Sequence, residues 1–219
     1  MVRGIKLYTG AALLLVANTS AATAADAVNS YEVLRNGKEI GTHDISFHRE
    51  GETLTVVSET RMKVKFLFIT AYKYHYRSTE LWSEAGLESV VTKVDDNGKV
   101  SETEIRREGD IYLAEDSSGQ VLSVDPGFMT TNHWNADVLG VDTLFNTITG
   151  RLNEVRIGQA ENRESTIADG ETYAVRGELE IDTSYDQKGN WLGMSFRHTD
   201  GSLIEFRCTT CTNTIDLAL

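Results

Sequence analysis

Hydrophobic and polar residues alternate along most of this chain with a period of two. Met62, Val64, Phe66 and Phe68 fall on one side of a run whose other side carries Arg61, Lys63 and Lys65. Tyr72, Tyr74 and Tyr76 then share a face opposite Lys73, His75 and Arg77. Near the C-terminus Leu192, Met194 and Phe196 alternate with Gly193, Ser195 and Arg197, and Ile204 and Phe206 stand in a partner strand across Asp200-Gly201. Successive side chains of a strand point to opposite faces, so this pattern describes an antiparallel sheet that is wet on one side. Turn residues punctuate the runs at Asn36-Gly37, Glu50-Gly51, Asn97-Gly98, Glu108-Gly109, Ser118-Gly119, Asp169-Gly170, Gly189-Asn190 and Asp200-Gly201. Asn-Gly and Asp-Gly supply the positive φ that tight hairpins need. Short strands at regular spacing predict a mainly β fold, an antiparallel and strongly curved sheet that forms a barrel, a half-barrel or a sandwich.

One segment departs from the period of two. In NADVLGVDTLFNTITG, residues 135–150, Val138, Val141, Phe145 and Ile148 fall at helical spacing, with Asn135 as N-cap and Gly150 beyond the C-terminus. This predicts one short helix packed across the sheet, where it can close a core or roof a cavity.

The N-terminus changes the picture of where the chain works. Arg3 and Lys6 precede an apolar run, Leu7 to Ala17, and Ala22-Thr23-Ala24 fits cleavage before Ala25. The run is shorter than the roughly 20 residues that span a bilayer. Residues 1–24 therefore read as a signal peptide, and residues 25–219 as a single periplasmic or secreted domain with no transmembrane segment. The full chain carries 21 Lys+Arg against 33 Asp+Glu, a net −12, and loss of Arg3 and Lys6 takes it to −14. Such a balance argues against nucleic acid and against docking on anionic lipid by a basic patch. No Ca²⁺ loop, no Gly-x-Ser-x-Gly elbow and no paired histidine spacing is present, so the sequence points to no cofactor, no metal and no enzymatic constellation.

Three places carry candidate chemistry. Cys208 and Cys211, the only cysteines, form a Cys-x-x-Cys at the end of the last strand. The motif admits a redox dithiol, half a metal site or a local disulfide. Redox motifs ordinarily sit at a helix N-terminus, a zinc site needs four ligands, and an oxidising compartment favours pairing, so the disulfide is the expectation. On a straight strand residues i and i+3 lie about 10 Å apart, so the bond requires a turn at Thr209-Thr210. Second, His133 and Trp134 lie in the loop Thr131–Asn135, where they can contact a ligand; in the plainer reading Trp134 plugs the barrel end and Asn135 caps the helix. Third, Phe66, Phe68, Tyr72, Tyr74 and Tyr76 form an aromatic stripe that is either core or the lining for a hydrophobic chain. Glu80, close behind the stripe, is read as a partner of Arg77, a residue at a cavity mouth, or a solvated charge.

Several stretches carry a resemblance. VKFLFITAYKYHYRSTELW (Val64–Trp82), NGK (Asn97–Lys99), TNHWN (Thr131–Asn135), TLFNTITGRL (Thr143–Leu152) and YDQKGNWLGMSFRHTDGSLIEFR (Tyr185–Arg207) resemble a family of secreted bacterial β-proteins known as a domain of unknown function. More distantly the pattern is similar to lipocalin-like and lipoprotein-carrier-like folds, in which a bent sheet wraps an apolar groove. The family implies no catalytic residues. The carrier likeness implies a hydrophobic, lipid-like ligand in the barrel. The alternative is a filled β-domain that binds an envelope protein partner.

Overall fold

The computed structural model describes residues 25–66, 69–161 and 170–211. The expected signal peptide, residues 1–24, lies outside the described residues. The first eight strands are β1 (Ala25–Arg35), β2 (Lys38–Glu50), β3 (Thr53–Phe66), β4 (Ile69–Ser83), β5 (Gly86–Asp96), β6 (Lys99–Glu108), β7 (Ile111–Glu115) and β8 (Val121–Val124). The remaining seven are β9 (Met129–Thr130), β10 (Thr143–Asn146), β11 (Arg151–Gln159), β12 (Glu171–Gly177), β13 (Ile181–Tyr185), β14 (Trp191–Arg197) and β15 (Leu203–Thr210). They hydrogen-bond into one sheet in the order β8-β7-β6-β5-β4-β3-β2-β1-β15-β14-β13-β12-β11-β10-β9. The contact of β1 with β15 joins the two halves of an otherwise sequential meander. All pairs are antiparallel except β9 with β10.

The order forces the sheet to curl. Laid flat, its strands would span about 67 Å at 4.8 Å spacing. Yet the two edges, β8 and β9, are joined by residues 125–128 alone, which reach at most about 18 Å between Val124 and Met129. The edges therefore come round to face each other without a ladder between them, so the sheet is barrel-like but not closed. Side-chain contacts bridge the gap: Tyr112 on β7 meets Phe128 with ring centroids 4.9 Å apart. Thr103 Oγ1 on β6 donates to the Thr147 carbonyl at 2.6 Å. Gly150, at φ +73°, lies so close to β7 that a Cβ there would meet Asp116 Cα at 2.6 Å.

The expected helix over 135–150 does not form. A 3-10 helix, Ala136–Gly140, is followed by strand β10, and Val138 and Phe145 are buried while Ile148 is 46 % exposed. Asn135 does act as the cap, accepting from Asp137 N at 2.9 Å. Two effects end the helix early. Gly140 weakens it, and Thr143–Asn146 gains more from pairing with β9 and β11 than from a solitary helical turn. The hairpin signals fare better: at Asn36-Gly37 and Asn97-Gly98 both residues have positive φ, as a two-residue mirror-image turn demands.

The inner face is the core. Ile45, Phe47, Leu54, Val56, Val90 and Ile105 are all 5 % exposed or less, and the segment between β9 and β11 adds Trp134, Val138, Leu144 and Phe145 from inside the curl. The segment thus occupies the concave side of the sheet and does not lie over it as a lid.

The Cys208–Cys211 disulfide forms, with Cα atoms 5.7 Å apart. The turn it needs is supplied by a bulge. Tyr31 pairs with Cys208 and Ser30 with Thr210, so Thr209 is an extra residue in β15, and its hydroxyl donates to the Ser30 carbonyl at 2.7 Å. The loop is so short that a C208S/C211S variant is expected to lose only about 2 kcal/mol in urea unfolding. A loss above twice that would mean the bond holds more than the end of β15.

Candidate functional site

The alternation in β4 places Tyr76, Ser78, Glu80 and Trp82 on the inner face, where all four are buried. Thr92 on β5 and Thr103 on β6 join them, with Thr92 Oγ1 donating to Ser78 Oγ at 2.9 Å. Opposite stand Thr130, Asn132, Trp134 and Thr147 from the inserted segment. The centre is Glu80, which is fully buried. Its Oε1 accepts from Thr130 Oγ1 and from Asn132 Nδ2, each at 2.6 Å. Its Oε2 accepts from two indoles, Trp82 Nε1 at 3.0 Å and Trp134 Nε1 at 2.6 Å. Indole and amide N–H groups can only donate, so the arrangement suits an acceptor-only carboxylate.

Asn132 spreads the network. Its Nδ2 also donates to Ser78 Oγ at 3.2 Å, and its Oδ1 accepts from the Tyr76 hydroxyl. The Tyr76 hydroxyl meets Thr147 Oγ1 at 2.8 Å, and burial pushes this phenol up to about 12. Two of the three tryptophans therefore face one buried carboxylate, and their rings stand edge to face at 5.6 Å. All the described donors to Glu80 are neutral. Each oxygen already accepts two bonds, so the carboxylate has no open position from which to take a proton from a substrate. Its chemistry is to hold the inserted segment against β4.

His133 sits beside this network but outside it. It is 3 % exposed at φ +54°, and neither ring nitrogen has a hydrogen-bond partner among the described residues. A left-handed conformation costs a non-glycine residue roughly 1–2 kcal/mol. Here the turn sends Trp134 back into the core, and the His133 carbonyl is fixed by the Tyr185 hydroxyl at 2.8 Å. Burial lowers the imidazole to about 4. A second buried imidazole, His43, is lowered to about 3 by the same cause; its Nδ1 meets Thr60 Oγ1 at 2.8 Å among the rings of Tyr31, Trp191 and Phe206.

Of the sequence candidates, the structure brings Tyr76 and Trp134 together in one network and leaves His133 adjacent. Tyr72 and Tyr74 continue the inner face of β4 but are half-buried. Phe66 ends β3 opposite Ile69; its side chain, and Phe68 altogether, lie outside the described residues. Glu80 is neither paired with Arg77 nor solvated. Arg77 is on the opposite face of β4 and bonds Glu59 at 3.3 Å. Parity was the available signal, because Glu80 falls an even number of residues from Tyr72, Tyr74 and Tyr76. Among the described residues no cluster of His, Cys, Asp and Glu could hold a metal ion, and no helix is long and apolar enough to cross a membrane.

Two open grooves lie elsewhere, against β11. One, of about 520 Å³, runs between Asp142, Glu154, Arg156 and Arg176. The other, of about 470 Å³, lies along Leu139, Val141, Val155 and Ile157. Neither is lined by the aromatic stripe.

No curated protein matches the chain. Among solved structures it is similar to the crystal structure of a beta-barrel-like protein of domain of unknown function DUF1849 from Brucella abortus. The two share 13 % identity and a TM-score of 0.55, over 87 % of this chain and 97 % of that one. This likeness shows the fold alone, a beta-barrel-like one. The model of the family described as domain of unknown function DUF6134 matches residues 31–209, from the Tyr31 that packs on Trp191 to the Thr209 of the terminal bulge, and the chain belongs to that family.

Proposed function

We propose that the protein is a binding domain of the bacterial envelope, exported by its N-terminal signal, that engages a protein partner through its outer surface and not a ligand in its centre. The observation that carries this reading is the inserted segment. Trp134, Val138, Leu144 and Phe145 occupy the concave side of the sheet, and Glu80 ties them there with four hydrogen bonds. A carrier of this architecture would keep that volume for its cargo.

A second reading has one observation in its favour. Met62, Val64, Tyr72 and Tyr74 extend the inner face past Tyr76 and are only half-buried. An apolar mouth of this kind suits a lipid-like molecule. Native mass spectrometry of protein purified from the envelope without detergent separates the two. The partner reading expects the bare polypeptide mass, with the disulfide intact, and capture of an envelope protein by in-cell crosslinking. A stoichiometric hydrophobic adduct released on denaturation would overturn it in favour of the carrier.

A further inference from the structure

Strand β11 outruns its neighbour on one side. Thr143–Asn146 of β10 pair with Arg151–Glu154, whereas β12 pairs with Val155–Gln159 along the opposite side. Alternate residues of an antiparallel strand turn their N–H and C=O groups to the same neighbour. Ala160 N donates to the Thr172 carbonyl at 2.9 Å and Glu178 N to the Glu154 carbonyl at 3.2 Å, so Glu154, Arg156, Gly158 and Ala160 address β12. Val155, Ile157 and Gln159 therefore address the other edge. Val155 N finds the Asp142 carbonyl there at 2.8 Å, and Asp142 is the last residue on that side, because the chain before it belongs to the 3-10 helix. The N–H groups of Ile157 and Gln159 have no partner among the described residues.

This open edge borders the groove of about 470 Å³, which Leu139, Val141, Val155 and Ile157 line with apolar side chains. Leu139, Val141 and Ile157 are only half-buried. Edge strands are ordinarily blunted by proline, lysine or an inward-pointing charge. Ile157-Gly158-Gln159 carries none of these. The terminal edges of the sheet, β8 and β9, face each other across the seam, whereas the edge of β11 faces a groove. Beside it stands Arg156, exposed, common to both grooves and without an ion pair among the described residues. Its cross-strand neighbour Arg176 is already engaged by Asp182 and Glu180. Two like charges in direct register destabilise a ladder, so Arg156 calls for an anion that the described chain does not supply.

Resting on the partner reading above, we propose that the partner binds by adding an extended segment to the open edge of β11, in line with β10. The segment it takes is a strand with apolar side chains at alternate positions, which enter the groove along Leu139, Val141 and Ile157, and with a carboxylate on its other face opposite Arg156. Its backbone pairs with Ile157 and Gln159 and supplies the affinity, while the alternate side chains supply the specificity. A lipid chain would fill the apolar groove but would leave both N–H groups and Arg156 unanswered. A second copy of this chain would bring a net −12 against a net −12.

The test is amide hydrogen exchange of the processed protein, followed by NMR, with a short synthetic peptide that carries valine at alternate positions and a central glutamate on the other face. In the free protein the Ile157 and Gln159 amides are expected to exchange freely, while β12 protects Arg156 and Gly158. At about ten times the dissociation constant of the peptide, exchange at Ile157 and Gln159 is expected to slow about 10-fold, with Arg156 and Gly158 unchanged. Lysine in place of the peptide's glutamate is expected to weaken binding about 5-fold, a difference that R156Q removes. Ile157→Pro deletes an N–H that β12 does not use and is expected to abolish binding with circular dichroism unchanged. A peptide N-methylated at the amides that meet β11 leaves the protein untouched and is expected not to bind. Full binding by the N-methylated peptide would overturn the inference, as would unchanged exchange at Ile157 and Gln159 with about 1 mM peptide. In cells, a benzophenone amino acid in place of Gln159 is expected to crosslink an envelope protein, and Ile157→Pro to lose that adduct. Capture from Lys93, exposed on β5, but not from Gln159 would overturn the docking site and leave the partner reading standing. A stoichiometric hydrophobic adduct with no crosslink from either position would overturn both.

Discussion

Glu80→Gln is expected to cost about 3–5 kcal/mol, although it removes no volume and leaves a hydrogen-bonding side chain in place. The four partners of the carboxylate are all donors: Trp82 Nε1, Trp134 Nε1, Thr130 Oγ1 and Asn132 Nδ2. A glutamine supplies one accepting oxygen and one NH₂. Whichever way the amide turns, the NH₂ confronts either the two indoles or the Asn132 amide N–H, and a buried donor meets a donor; of the four partners only the Thr130 hydroxyl can turn to accept. Glu80→Ala is expected to fall in the same range through a different cost, since it strands all four donors and leaves a cavity. A domain of this size has about 5–15 kcal/mol in hand, so either change takes a large part of it. Tyr76→Phe, which removes one hydroxyl at the rim of the network, should cost only about 1–2 kcal/mol. Urea unfolding measures all three. Glu80→Gln within about 1 kcal/mol of the wild type would show that the carboxylate is not what holds the insertion.

How much of this was legible in the sequence depends on whether the information is local. The strands and tight turns are local: the Tyr72-Tyr74-Tyr76 alternation and the Asn36-Gly37 and Asn97-Gly98 turns specify themselves. The disulfide was also within reach, because two lone cysteines three residues apart, read together with an expected export signal, have few other expected fates. The bulge at Thr209 that makes it possible was not. A bulge is one extra residue set by a partner strand far away in sequence, here Ser30 and Tyr31. The same effect hid the inner face of β14. The alternation placed Leu192 in line with Met194 and Phe196, but Tyr185 pairs with Trp191 and Ser184 with Gly193, so Leu192 is the surplus residue and Trp191 turns into the core. The helical period over 135–150 misled for a related reason: Val138 and Phe145 are buried, but by different elements. The site was half legible. Trp134 and Asn135 read as a plug and a cap, while the link from Glu80 to Thr130 and Asn132, some 50 residues on, exists only once the segment folds back inside the sheet.

Between pH 7 and pH 5 the protein is expected to lose about 4 kcal/mol of stability, roughly 2 from each of two buried histidines. In the unfolded chain His133 and His43 take up protons near their ordinary value of 6.5, whereas burial holds them to about 4 and about 3 in the folded chain. Below pH 6.5 the unfolded state therefore binds more protons, and stability falls as pH falls until the folded-state values are reached. The carboxylates held below their ordinary range are Glu59, Asp116, Asp186 and Asp200. They contribute stability that is lost only nearer pH 4, so the interval from 6.5 to 5 reports on imidazoles. His48 works the other way, since Asp26 raises its proton affinity in the folded state, but it is exposed. His133→Asn isolates one contribution. Asparagine tolerates the left-handed conformation at φ +54° better than other non-glycine residues, and it does not titrate. Urea midpoints of this variant should fall about half as steeply across the interval as those of the wild type, and His43→Asn/His133→Asn should be nearly flat. If His133→Asn keeps the full wild-type slope, His133 is protonated in the folded state, and its two ring nitrogens must then have partners there. The turn that sends Trp134 to Glu80 would in that case be held by a polar contact at the imidazole, not by the exclusion of water from it.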